Sequence, residues 1–231
     1  MYVLECNNLS KSYGSKRALE RIDLQLGSGR ILGLLGPNGS GKTTLIKLAE
    51  GLLQPTDGQI LIGGKVPGVE TKAQIAYLPD REFLPDYMTV EQLLRYYADF
   101  FQDFDMERAE MMLKNLNINK AQRMKKLSKG TKEKVQLILT MSRDAKIYIL
   151  DEPIAGVDPA ARDYILKTII SNYSPDSLVI ICTHLIADIE SVLDEVVFLK
   201  EGRVVLHRNA DELREETGKN IDGLFREVFR C

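Results

Sequence analysis

The stretch Ile31-Leu-Gly-Leu-Leu35-Gly36-Pro-Asn-Gly-Ser-Gly41-Lys42-Thr43-Thr44-Leu45 decides the fold. Five mostly branched apolar residues, Ile31 to Leu35, read as a buried strand. A turn with glycine at 36, 39 and 41 follows, and then Leu45, Leu48, Ala49 and Leu52 recur at helical spacing, predicting a helix over Lys42 to Leu53. The turn fits G-x-x-x-x-G-K-T between a strand and a helix. Its glycines let successive backbone N–H groups point inward, and the positive end of the following helix adds to that field. The spacing therefore predicts a polyphosphate cradle, with Lys42 reaching the outer phosphates and the Thr43 hydroxyl ligating Mg²⁺.

Short strands are expected on either side of this unit. They lie at Tyr2 to Cys6, Ile22 to Leu26, Gln59 to Ile62, Ile75 to Leu78, Ile147 to Leu150, Leu178 to Cys182, Val196 to Leu199 and Val204 to His207. Helical stretches fall at Ala160 to Tyr173 and Leu185 to Leu193. Strands alternating with helices predict a largely parallel α/β core with helices on both faces. From about Pro85 to Met141 the pattern turns helical, through Val90, Leu93, Leu94, Tyr97 and Phe101 and then Ala109, Met112, Leu113 and Leu116, so an inserted helical unit is expected there.

The 231 residues, 44% apolar and 28% charged, describe a globular chain long enough to need no disulfide or metal staple. A net charge of -2 gives no basic footprint for tight nucleic-acid binding. Cys6, Cys182 and Cys231 are too few and too scattered for a disulfide framework or a zinc site, which fits a reducing compartment. Met1 to Cys6 lacks the pattern of a signal peptide, and the densest apolar runs fall far short of the ~20 residues of a membrane helix.

A second phosphate-handling group should sit at the end of a buried strand, and Ile147-Tyr-Ile-Leu150-Asp151-Glu152-Pro153 supplies two carboxylates. Asp151 at the strand end suits Mg²⁺, and Glu152 suits orienting or deprotonating an attacking water. Together these residues resemble the nucleotide-binding domain of ABC (ATP-binding cassette) ATPases, and the resemblance covers nearly the whole chain. It implies a P-loop NTPase core with an N-terminal antiparallel β subdomain and a helical insert. The core would take about 1–84 and 142–209, the insert about 85–141, and a C-terminal capping helix about 210–231.

The resemblance also assigns residues. Gly36, Pro37, Asn38, Gly39, Ser40, Gly41, Lys42, Thr43 and Thr44 would cradle ATP, and Tyr13 would stack on its adenine. Leu127-Ser128-Lys129-Gly130-Thr131 stands where the family has Leu-Ser-Gly-Gly-Gln, so Ser128 and Gly130 would contact the γ-phosphate of ATP held by a facing subunit. Asp158, in Ala155-Gly156-Val157-Asp158, matches the loop that touches that subunit, and His184 matches the switch histidine that acts with Glu152 and Lys42 in catalysis. Two departures stand out: Asp80 replaces the usual Gln near the metal, and Lys129 and Thr131 replace a Gly and the Gln of the signature.

The activity implied is Mg²⁺-dependent ATP hydrolysis by a head-to-tail homodimer or heterodimer of such subunits. It would power a separate membrane permease of exporter type from the cytoplasmic face, with no nucleic-acid partner. A permease-free ABC ATPase, such as one in cluster assembly, and a low-turnover nucleotide-gated module are the alternatives. A GTPase is disfavoured because Asn119-Lys120-Ala121-Gln122 lacks the guanine-reading Asp. Tyr96, Tyr97, Phe100, Phe101 and Phe104 read as core of the insert, Lys125, Lys126, Lys129, Lys132 and Lys134 as a solvated basic face, and Asp211 to Arg230 as one amphipathic helix.

Overall fold

The computed structural model describes residues 2–155, 157 and 159–229, so Gly156, Asp158 and Cys231 lie outside the described residues. The chain opens with β1 (Tyr2–Tyr13), β2 (Lys16–Gly27), β3 (Arg30–Leu35), α1 (Lys42–Ala49), β4 (Asp57–Ile62), α2 (Val69–Lys72) and β5 (Ile75–Leu78). Three helices follow: α3 (Val90–Phe100), α4 (Met106–Asn115) and α5 (Lys129–Met141). The remainder alternates β6 (Ile147–Asp151), α6 (Pro159–Asn172), β7 (Leu178–Cys182), α7 (Ile186–Ile189), β8 (Glu195–Lys200) and β9 (Arg203–Asn209). It ends with α8 (Ala210–Thr217) and α9 (Ile221–Val228).

Two sheets form. β2-β1-β4 is antiparallel, and β5-β6-β7-β3-β8-β9 is parallel except for its last pair. The parallel strands carry apolar residues on both faces because both faces are covered. Ile31 and Leu35 of β3, Tyr148 and Leu150 of β6, and Val179 and Ile181 of β7 point into a core shared with α3 to α5. Leu32 and Leu34, Ile147 and Ile149, and Leu178 and Ile180 point into a second core, against the antiparallel sheet and α1. Register then fixes the site. Gly33 pairs with Ile181, Leu150 also pairs with Ile181, and Leu78 pairs with Leu150. The residues just past β3, β5, β6 and β7 therefore emerge level along one sheet edge, where ligands of parallel sheets bind.

Several expected boundaries move. α1 stops at Ala49 rather than Leu53, because Gly51 takes φ +64° and the N–H groups of Gly51 and Leu52 turn back onto Leu48 and Lys47 at 3.0 and 2.8 Å. The strand expected over Tyr2 to Cys6 runs on to Tyr13 in a long hairpin with β2. Of Leu185 to Leu193, only Ile186–Ile189 is α-helix, followed by a 3₁₀ turn. The tail is two helices, broken at Gly218 (φ +63°) and restarted by Asn220 as N-cap. α9 and the residue that caps it lay Phe225 and Phe229 on Phe198 of β8, with ring centroids 5.6 and 5.7 Å away. The aromatic run is not all core: Tyr97, Phe101 and Phe104 pack inward, but Tyr96 and Phe100 (68% exposed) stack on each other outside.

Candidate functional site

The glycine-rich loop is wedged between two supports. A side chain at Gly36 would place its Cβ 2.3 Å from the Leu199 carbonyl oxygen, so the loop rests directly on the end of β8. Gly41 adopts φ +114°, and a Cβ there would lie 2.7 Å from the Ala18 carbonyl oxygen and the same distance from Leu19 Cδ2 of β2. Ser40 is buried, its Oγ has no partner among the described residues, and its carbonyl accepts from Gly202 N–H at 2.8 Å. Pro37, Asn38 and Gly39 form the exposed lip. Lys42 Nζ lies back over the loop, donating to the Gly36 and Pro37 carbonyls at 2.6 and 3.2 Å. Thr43 is exposed and Thr44 half-buried on the first turn of α1.

Asp151 ends β6, and its carboxyl is pushed up to about 6. Burial is the main cause, the charges of Asp80 and Glu152 add to it, and Lys42 opposes it. These groups thus lie near one another at the sheet edge. A cleft of about 240 Å³ is lined by Asp80, Asp151 and Glu152 together with Lys129, and a neighbouring groove of about 560 Å³ by Thr43 and Asp80. Among the described residues no three carboxylate, histidine or cysteine side chains are gathered closely enough to hold a metal by themselves; the Asp151 and Asp80 carboxylates, with the Thr43 hydroxyl at a helix start, suit a hard divalent cation whose remaining ligands are phosphate and water.

Glu152 follows in a left-handed turn (φ +52°), pinned by its N–H to the Cys182 carbonyl at 2.7 Å. Both carboxylate oxygens are engaged. Oε2 accepts from Thr183 Oγ1 at 2.8 Å, and Oε1 lies 2.8 Å from His184 Nδ1 and accepts from His184 N–H at 3.2 Å. The structure therefore joins Glu152 and His184 from adjacent strands. Thr183 completes the clasp, and the sequence reading missed it; a hydroxyl just past β7 was the available signal.

The remaining candidates stand apart. Ser128 caps α5, accepting from Thr131 N–H at 3.2 Å and lying 2.8 Å from Thr131 Oγ1, so Thr131 braces Ser128 directly. Among the described residues, no hydrogen bond or ion pair joins Ser128 or Gly130 to the glycine-rich loop. Tyr13 is 47% exposed at the β1–β2 hairpin, with Lys11 Nζ 5.5 Å from its ring centre. Asp158 lies outside the described residues. Ala18, Leu199 and Gly202, which seat the loop, carried no motif.

A glycine-rich G-x-x-x-x-G-K-T loop after one parallel strand, with an Asp-Glu pair and a His after its neighbours, is the arrangement of a P-loop nucleotide hydrolase. The family model described as "ABC transporter" matches residues 19–155, and the chain belongs to that family, as an ATP-hydrolysing, ATP-binding subunit. The ABC transporter ATP-binding protein YtrB of Bacillus subtilis (strain 168) is 30% identical over 93% of this chain and 74% of its own length. The SkfA peptide export ATP-binding protein SkfE of the same organism is 28% identical over 94% of this chain and 93% of its own. A solved structure described as the ATP binding subunit of an ABC transporter superposes with a TM-score of 0.90 at 30% identity, covering 99% of this chain and 100% of that one.

Proposed function

We propose that the chain hydrolyses ATP as a head-to-tail pair and so drives a separate permease of exporter type. The observation that carries this reading is a division within the chain. The Lys42 loop and the Ser128 helix start both offer groups suited to phosphate, yet among the described residues no hydrogen bond or ion pair joins one to the other, although Lys129 of that helix start lines the cleft of Asp151 and Glu152. A second copy would bring its Ser128 N-terminus to the phosphate held by the first copy's loop. The peptide-export name of SkfE favours the exporter direction.

In this reading Lys42 exchanges two backbone carbonyls for phosphate oxygens, and Tyr13 stacks on the adenine. Thr43 and Asp151, with Asp80 beside them, would hold Mg²⁺, which when bound neutralises charge building on the phosphates. Glu152 orients the attacking water and takes its proton, while Thr183 and His184 fix the carboxylate's direction. Catalysis is then positioning and charge stabilisation, with no covalent intermediate.

No helix among the described residues is long and apolar enough to cross a membrane. The permease would hold the subunit at the cytoplasmic face, seated in the groove lined by Glu50, Leu52, Asp80 and Phe83. Glu152→Gln tests the catalytic core. Phosphate release should stop while light scattering with Mg-ATP shows a stable dimer. Turnover at the unaltered rate would overturn the role of Glu152, and a monomer under those conditions would overturn the paired site.

A further inference from the structure

The five lysines near the signature do not form one solvated face. Lys125, Lys126 and Lys129 are exposed, but the Lys132 side chain is only 14% exposed. Its ammonium lies between two carboxylates, 2.9 Å from Glu82 Oε2 and 2.8 Å from Asp86 Oδ1. One helical turn on, Gln136 (3% exposed) donates to the Arg81 carbonyl at 3.3 Å. Lys132 and Gln136 stand at i and i+4 on α5, so a single helix face grips the segment that begins at Asp80. The approach to α5 grips it too: Lys125 and Met124 N–H donate to the Asp86 and Met88 carbonyls, each at 2.9 Å.

That segment joins two parts of the site. At one end Asp80 faces Asp151 across the shared cleft. At the other, Lys132 lies one turn beyond Ser128 and donates its own N–H to the Ser128 carbonyl at 2.9 Å. An exposed loop of this length would otherwise move independently of the helix. Two charge-assisted hydrogen bonds to one partly enclosed ammonium tether it to the helix.

We propose that Lys132 is a positioning residue that couples the Asp80 loop to the Ser128 helix start through Glu82 and Asp86, so that a shift at the metal-side loop re-aims the phosphate-facing helix end. The inference rests on the reading that Ser128 meets phosphate across a dimer.

The test compares Lys132→Met, Lys132→Arg and the pair Glu82→Gln/Asp86→Asn with the unaltered protein, each checked for an intact melting transition. A coupling role predicts a fall in kcat on the order of tenfold for Lys132→Met, with KM for ATP within about twofold, because the Lys42 loop still loads. Lys132→Arg should recover most of that loss. The carboxylate pair changes only partly exposed side chains, which protects it from a folding failure. It should match Lys132→Met, and combining the two should cost no more than either alone. Unaltered kcat in Lys132→Met, or a loss that Arg does not rescue and that falls equally on KM, overturns the proposal.

Hydrogen exchange without nucleotide supplies a readout independent of turnover. Neutralising Glu82 and Asp86 should speed exchange at the Thr131 and Lys132 amides. No change there refutes the coupling even if the protein hydrolyses ATP, whereas absent hydrolysis by the unaltered protein would refute the proposed function instead.

Discussion

Glu50 is the side chain whose ionisation works most plainly against the fold. It caps the C-terminus of α1 and lines the groove beside Lys47, Lys72 and Tyr77, with Oε2 enclosed and without a partner among the described residues. Burial pushes its carboxyl from 4.5 up to about 7, although Lys72 and Lys47 pull the other way. The folded chain therefore holds a proton between about pH 4.5 and 7 that the unfolded chain has released. Stability falls as pH rises through that window, and the penalty is complete above it. A displacement of this size corresponds to about 3 kcal/mol at full effect. Part of the carboxyl still faces water, so screening reduces it to roughly 1–2 kcal/mol. Glu50→Gln keeps the shape and removes the charge. Urea unfolding should show the variant more stable by about 1–2 kcal/mol at pH 8, or a Tm higher by about 2–8 °C, and equal within about 0.5 kcal/mol at pH 5. Parallel stability curves across this pH range would refute the reasoning, as would a loss at pH 8. If a permease donor satisfies Oε2 in the groove, the same substitution should weaken that complex while strengthening the free subunit.

Gly41→Ala forces a Cβ to within 2.7 Å of the Ala18 carbonyl at φ +114°, so the loop must shift. Calorimetry should show Mg-ATP affinity falling by on the order of 100-fold with the overall fold retained, and an unaltered Kd would contradict the wedged-loop account. Arg143→Met removes a buried guanidinium that donates to the Ile75 and Ala73 carbonyls at 2.7 and 2.5 Å, pairs twice with Asp103 and stacks 4.0 Å from the Phe101 ring centre. Leaving those acceptors unpaired should cost about 3–5 kcal/mol in urea unfolding, and a cost below about 1 kcal/mol would show that the network is slack.

What the sequence made legible was local. A strand feeding a glycine turn, an Asp-Glu pair ending an apolar run and a His after another such run are contiguous signals, and β-sheet register carries them to one edge. What stayed hidden depends on partners far along the chain. Thr183 matters because β6 and β7 are neighbours, Arg143 because β5 passes beneath it, and Lys132 because the Asp80 segment folds back across α5. Periodicity also states that a helix has an apolar face without stating how wide it is. Tyr97 of α3 and Phe101 just past its end pack inward, whereas Tyr96 and Phe100 share the helical spacing and lie outside. Gly51, by contrast, is a helix stop visible in the sequence, although Leu52 keeps the apolar rhythm beyond it.

The antiparallel sheet has a mechanical part in the nucleotide site. Gly202 donates to the Ser40 carbonyl at 2.8 Å and accepts from Glu20 N–H at the same distance, so β2 and the β8–β9 turn hold the loop through paired hydrogen bonds. A Cβ at Gly202 would come within 2.6 Å of the Ala18 carbonyl, the same group that bounds Gly41. One carbonyl on β2 thus limits both the loop and the turn that braces it. With its backbone fixed in this way, the loop would need little reorganisation to receive phosphate in the proposed function, where the main exchange is at Lys42, whose ammonium would leave two carbonyls for more strongly charged oxygens. On the proposed function, selectivity for a triphosphate would depend on that ammonium and on the carboxylates across the sheet edge.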